Sequence, residues 1–466
     1  MSEIVLAALV LFFAAGIPPD PAAPPAERGG ARVFAALAEL DRAAATPLWP
    51  GFDPREIPFE ISDGGRTWLL RHPNPPEGFE PVPGHPPSEA RVFEGRHDSA
   101  RANTSAELGG VATAQASFEG KTAGPRDLAA LLGHEAFHVF QGRRHPKWGA
   151  DESQLFLFPV EDAEALALRR LESAALSRAV RASDRGSRER WAARALDARR
   201  LRFARLPAAA AAYERGTEQK EGLARYVETR VTGASTAALP AAEFPPAAVR
   251  DRAYESGCTI ALLLDSLDPR WKETLEASDS SSSSLSLDEL LARAVAGVSA
   301  ADVAPAEMAA YRRRAAQDAA AWTASRADLR RKFLGAPGWR IVVESDSPLF
   351  PQGFDPLNIE RIPPSEVLHT RFVKLGNAEG SLEVLDRPCL TEARTGAAHP
   401  LFEGVRRATV TGLAREPEVE PSENGPLRVR VSGLTLEFRH ARVSRTRATI
   451  TISVGEPAAA TGGPGI

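Results

Sequence analysis

The spacing of apolar residues along this chain changes once, near residue 336. Before that point the prevailing period is helical. Ala31–Ala45 (ARVFAALAELDRAAA) places apolar residues at i, i+3 and i+4, which predicts an amphipathic helix. From Pro47 to about Arg101 prolines and glycines dominate, broken by short strand-like pieces such as Thr67–His72. Gly109–Gly120 (GGVATAQASFEG), bounded by glycines and rich in small and β-branched residues, predicts a strand. Asp127–Gly142 predicts a helix, and Glu161–Arg205 predicts two long helices joined at the turn residues Ser183–Ser187. Further helices are expected over Ala208–Thr232 and Arg252–Ser266. After the serine-rich stretch within Ser278–Leu291, helix continues on and off to about Lys332.

Beyond Pro337 apolar and polar residues alternate in short runs such as WRIVVES, GSLEVLD and RATITISVG. That period of two predicts an antiparallel β domain of six to eight strands, resembling a sandwich. The proline-rich segment Asp346–Pro364 is expected to be a loop wrapping this domain. The fold class is therefore α+β. Residues 31–336 form a largely helical domain with a small N-terminal β part, and residues 337–466 form a C-terminal antiparallel β domain.

With 466 residues, 43% of them hydrophobic, the chain is long enough for two or three cores. A net charge of −4 argues against a nucleic-acid partner. The two cysteines, Cys258 and Cys389, have no metal-ligand spacing and support no disulfide framework. Residues 1–30 read as a signal peptide followed by a proline-rich linker. The apolar run Ile4–Gly16 is too short to span a bilayer and ends in small residues, although its leading segment carries Glu3 and no Lys or Arg. Export to the periplasm or the extracellular space is expected, with no membrane span in the mature chain.

The candidate chemistry lies in LLGHEAFHVFQG, Leu131–Gly142, where His134, Glu135 and His138 have the spacing H-E-x-x-H. On a helix, i and i+4 share a face, so the two imidazoles can grip one ion, with zinc the expected metal. Glu135 is then placed to act as general base on a metal-activated water. A catalytic zinc needs a third protein ligand. From the residues alone Glu161, Glu164, Glu172, Glu214, Glu218 and Glu221 are all candidates. His145 lies just past the motif helix, and His369, His399 and His440 sit in the β domain without ligand spacing; the last three are expected to be ordinary surface or loop residues.

The segment EGLARYVE, Glu221–Glu228, resembles the helix that follows H-E-x-x-H in the gluzincin metallopeptidases, the aminopeptidase N family among them. In those enzymes the Glu of an E-G-x-A-x-Y pattern is the third zinc ligand. The resemblance implies that role for Glu221, with Glu218 and Glu164 as the next choices. AYESGCTIALLLDSL, Ala253–Leu267, is similar to the later Tyr-x-x-Gly helix, implying that Tyr254 stabilises the oxyanion. The resemblance covers roughly Asp127–Leu267 and implies a zinc peptidase acting on peptide or protein substrates.

Two features depart from the family. The gap from His138 to Glu221 is 83 residues, much longer than in aminopeptidase N, and would hold the hairpin of about residues 161–205 as an insertion. The G-A-M-E-N signature that anchors a free amino terminus is absent. GGVATAQASFEG takes its place, as a strand to which an extended substrate could pair, with only Glu107 and Glu119 as acidic anchors. Aminopeptidase activity is not expected. Three other readings stay open: the same site acting on a non-peptide amide or ester, a β domain recognising a surface polymer beside an inactive zincin, and a metal kept for structure.

Overall fold

The computed structural model describes residues 25–86, 88–100, 103–119, 124–234, 239, 244–278, 285–355, 358–362, 365–420 and 426–455. The apolar run Ile4–Gly16 lies outside them. Two compact units divide between Ala319 and Ala320.

The first unit begins with helix α1, Pro25–Ala43, followed by strands β1 (Phe59–Ser62), β2 (Arg66–Leu70), β3 (Glu80–Pro81), β4 (Ala90–Glu94), β5 (Thr104–Leu108) and β6 (Val111–Ser117). They form one mixed sheet in the order β3-β4-β2-β1-β6-β5, with β1 and β6 parallel and the other pairs antiparallel. The expected strand at Gly109–Gly120 is β6, but its availability for substrate is corrected: β1 and β5 occupy both of its edges. The free edge on that side belongs to β5.

Helices follow: α2 (Pro125–Arg144), the short α3 (Ser153–Leu157), α4 (Ala163–Arg181), α5 (Arg185–Phe203), α6 (Ala208–Thr217), α7 (Leu223–Thr232), α8 (Val249–Leu267), α9 (Trp271–Ser278), α10 (Leu287–Ala294) and α11 (Pro305–Leu334). Pro125 starts α2 where its missing N–H costs nothing, and Asp127 accepts from the Gly124 N–H. Asp184 ends the α4–α5 turn by capping Ser187 N at 2.7 Å. The apolar face of α2 (Leu132, Ala136, Phe137) packs with Val33 and Leu40 of α1, Phe59 and Ile61 of β1, Val227 of α7 and Leu264 of α8 in one core. α2 is therefore a central element with both flanks covered.

The second unit takes the last turns of α11 and then strands only. Its first strand, β7 (Trp339–Phe354), is 16 residues long and belongs to both halves of a twelve-stranded assembly, more strands than alternation alone suggested. The first part of β7 pairs with Val405–Leu413 and, in parallel, with Thr449–Val454; its last residues pair with Phe372–Asn377. Apolar faces from both halves, including Ile341, Val373, Leu382, Val410, Leu436 and Ile452, share one core.

Two expectations for this unit are corrected. Asp346–Phe354 is strand rather than wrapping loop, and Ile359–Ile362 is strand as well. Prolines are tolerated there because the ladder is irregular where Pro351 faces Leu375. His369 is no surface residue either. It is fully buried, with Nε2 3.2 Å from Thr391 Oγ1, and His399 is buried too, accepting from the backbone N–H of Leu401 and Phe402. His440 is exposed beside Glu379. Both cysteines are buried and free.

Candidate metal centre

One helix brings two of the three groups together. His134 and His138, a turn apart on α2, lie with their Nε2 atoms 3.1 Å from each other. The third group comes from a break in helical rhythm. The segment expected as one helix over Ala208–Thr232 is interrupted by a π-helical turn, Glu218–Gly222, between α6 and α7. In a π turn each residue advances by a smaller angle, so a step of three no longer returns to the same face. Glu214 and Glu218, which straight helical spacing puts on the face of Glu221, turn elsewhere.

Glu221 Oε2 sits 3.1 Å from His138 Nε2 and 3.8 Å from His134 Nε2. Tetrahedral coordination at about 2.0–2.1 Å requires ligand atoms about 3.3–3.4 Å apart, so these separations match a site for one small divalent ion. The buried group His134, His138 and Glu221 could hold a metal ion.

The other ring nitrogens fit the same use. Gln141 Oε1 accepts from His138 Nδ1 at 2.8 Å, and Gln141 Nε2 is itself fixed on the carbonyl of Lys220 at 2.9 Å. Because Nδ1 donates, the neutral tautomer leaves the Nε2 lone pair facing Glu221. His134 Nδ1 lies 3.4 Å from Glu228 Oε2. Burial opposes charge on His134, yet the Glu221 and Glu228 carboxylates outweigh it and push its pKa up to about 10.

Glu135, 4% exposed, projects from α2 beside the first imidazole, and burial raises its carboxyl above the usual carboxylate range. Tyr254 on α8 is half-buried, its ring stacked against His134 with centroids 6.1 Å apart. Arg250, one turn earlier, donates from Nη2 to Glu221 Oε1 at 3.0 Å and to the Tyr254 hydroxyl at 3.3 Å. No sequence pattern singled out Arg250, Gln141 or Glu228. The only available signal was position: one helical turn before Tyr254 and three residues after His138 for the first two, and the close of the E-G-x-A-x-Y segment for Glu228.

The glycines of the two later patterns have a common purpose. A Cβ on Gly257 would lie 2.6 Å from the carbonyl oxygen of Glu218, and one on Gly222 would lie 2.7 Å from the Gly257 Cα. Only glycine lets α8 cross the π turn this closely, and that crossing brings Tyr254 and Arg250 to Glu221.

The remaining candidates go elsewhere. Glu218 is taken by Arg199, whose Nη1 donates at 2.7 Å, and by the Ser256 hydroxyl. Glu172 is fully buried and ion-paired with Arg199, Arg202 and Arg252, while Arg169 donates to the carbonyls of Phe244, Pro245 and Pro246. Glu214 pairs with Arg202. Three carboxylates and three guanidiniums thus neutralise one another and weld the α4–α5 hairpin to the π turn. Glu164 pairs with Arg312 at the surface. His145 stacks on Trp148 and bonds Glu276, apart from the ligand group. Glu107 is exposed on β5, and Glu119 is exposed and 3.7 Å from Arg96.

No protein-family model, curated protein or solved structure matches this chain.

Proposed function

We propose that the chain is a zinc-dependent metallopeptidase that hydrolyses peptide bonds, with zinc held by His134, His138 and Glu221. The observation that carries the reading is the convergence of two Nε2 atoms and one carboxylate oxygen at tetrahedral ligand spacing, with the buried Glu135 side chain beside them. A bound zinc supplies a water of near-neutral pKa and polarises the scissile carbonyl.

The chain's own groups do the rest. Glu135 takes the water proton as the new C–O bond forms, then delivers it to the amine nitrogen as the C–N bond breaks. Tyr254 donates its hydroxyl hydrogen to the oxyanion. Gln141 holds the His138 imidazole in orientation, and the Glu228 carboxylate lies 3.4 Å from His134 Nδ1. The edge of β5 offers main-chain hydrogen bonds to an extended peptide. Cleavage within a chain is the activity proposed, because the sequence lacks the G-A-M-E-N signature that anchors a free amino terminus.

The test is elemental analysis of zinc per chain in wild type and Glu221→Ala, followed by peptide-library cleavage. Close to one zinc in wild type, its loss in the variant and cleavage abolished by Glu135→Gln are the expected results. A wild type that takes up no zinc on reconstitution overturns the reading. Unchanged zinc in Glu221→Ala removes Glu221 from the ligand set.

A further inference from the structure

The oxygens of Glu221 are used differently. Oε2 faces the two imidazoles, whereas Oε1 accepts from Arg250 Nη2 at 3.0 Å. The same Nη2 reaches the hydroxyl oxygen of Tyr254 at 3.3 Å, and Nη1 is held by Glu152, at the turn before α3. Glu152 in turn accepts from the Tyr213 hydroxyl at 3.3 Å. Only 13% of the Arg250 side chain is exposed, and its Nε is buried with no hydrogen-bond partner among the described residues. Removing a guanidinium from water on these terms is costly, and its partners are the ligand Glu221, the neighbouring Tyr254 and Glu152.

We infer that Arg250 is a positioning residue of the metal centre, clamping the outer oxygen of Glu221 so that a single oxygen faces the ion while the same Nη2 holds the Tyr254 hydroxyl oxygen. The inference rests on the zinc reading above. Arg250 and Tyr254 are four residues apart on α8 and share a face, so one helix carries both the clamp and the group it orients. Pulling on Oε1 opposes two-oxygen coordination and leaves room for a water in the fourth position. With its oxygen accepting from a cation, the tyrosine hydroxyl becomes a better donor. A planar fork is required, because an ammonium presents no fixed pair of donors to the carboxylates of Glu221 and Glu152.

The experiment uses the full chain as wild type, Arg250→Gln, Arg250→Lys and Glu152→Gln, each checked for fold by circular dichroism. Zinc affinity is read by chelator competition, and coordination by the visible absorption of the cobalt(II)-loaded proteins. Arg250→Gln should bind zinc about 10–100-fold more weakly, the usual cost of losing a partner that orients a ligand. Its cobalt bands should weaken as coordination number rises. Arg250→Lys should recover part of the affinity but not the spectrum, and Glu152→Gln should give a smaller loss in the same direction. These two variants keep the test open should Arg250→Gln fail to fold. Wild-type affinity and an unchanged cobalt spectrum in folded Arg250→Gln or Arg250→Lys overturn the clamp and leave the zinc reading standing. A wild type that takes up neither zinc nor cobalt overturns both.

Discussion

At the scale of single residues, the site is a set of paired atoms, and each pair has its own signature. In the proposed mechanism Glu135 touches the reaction without holding the metal, so Glu135→Gln should keep its zinc and lose about 10²–10⁴ in kcat. Tyr254→Phe should lose about 10²–10³ in kcat with little change in KM, since the lost hydrogen bond belongs to the transition state. Kinetics on one cleavable peptide, together with zinc content, checks both. Gln141→Leu removes the acceptor of the His138 Nδ1 proton, and zinc affinity should fall about 10–100-fold while the H-E-x-x-H residues remain intact. Equal affinity in that variant would mean that the tautomer is held by something else.

At the scale of elements, the crossing of α8 over the π turn decides whether ligand and donor meet. Gly257→Ala drives a Cβ to 2.6 Å from backbone that cannot rotate away. Thermal unfolding should reveal a loss of about 1–3 kcal/mol, with weaker zinc binding alongside it. A Cβ added at Gly142, on α2, would meet nothing within 4 Å, so Gly142→Ala should instead be neutral or stabilise by about 0.5–1 kcal/mol. The contrast separates a glycine needed for helix approach from one that merely occupies a helix. The α4–α5 hairpin acts at the same scale. Its Arg199 and Arg202, with Arg252 of α8, neutralise Glu172, Glu214 and Glu218, and the last of these belongs to the turn that carries Glu221.

At the scale of the whole molecule, the second unit has its own response to acid. Burial lowers the pKa of His369 to about 4, below its ordinary value of 6.5. The unfolded chain therefore binds this proton more readily than the folded one. Stability from this group is fully present above pH 6.5, declines as pH falls from 6.5 towards 4, and levels off below that. Over that window the loss is about 3 kcal/mol. Comparing wild type with His369→Gln by denaturant unfolding, with chelator present, should give a stability difference that changes between about pH 6.5 and 4 and is flat above about pH 7. A difference that does not vary with pH would show that His369 does not titrate in the folded protein.

By itself the sequence determined the α+β class, the change from helix to strand near residue 336 and the H-E-x-x-H helix; the resemblance pointed to Glu221, which lies with His134 and His138, and to Tyr254, whose ring stacks on His134. These are local properties: a period of about 3.6 or 2, a proline or capping aspartate at a helix start, two imidazoles a turn apart. Only the tertiary structure decided which of several glutamates faces the imidazoles. Helical spacing puts Glu214, Glu218 and Glu221 on one face; a π turn and the arginines Arg199, Arg202 and Arg252 from distant helices separate them. It also decided that β6 is an inner strand, that Asp346–Phe354 is strand, and that His369 is buried, since pairing and burial depend on neighbours remote in the chain. Arg250 belongs to the same class. Its position marks nothing in the sequence, and it gains meaning only where α8 crosses the π turn, because a hydrogen bond depends on distance in space and not on spacing along the chain.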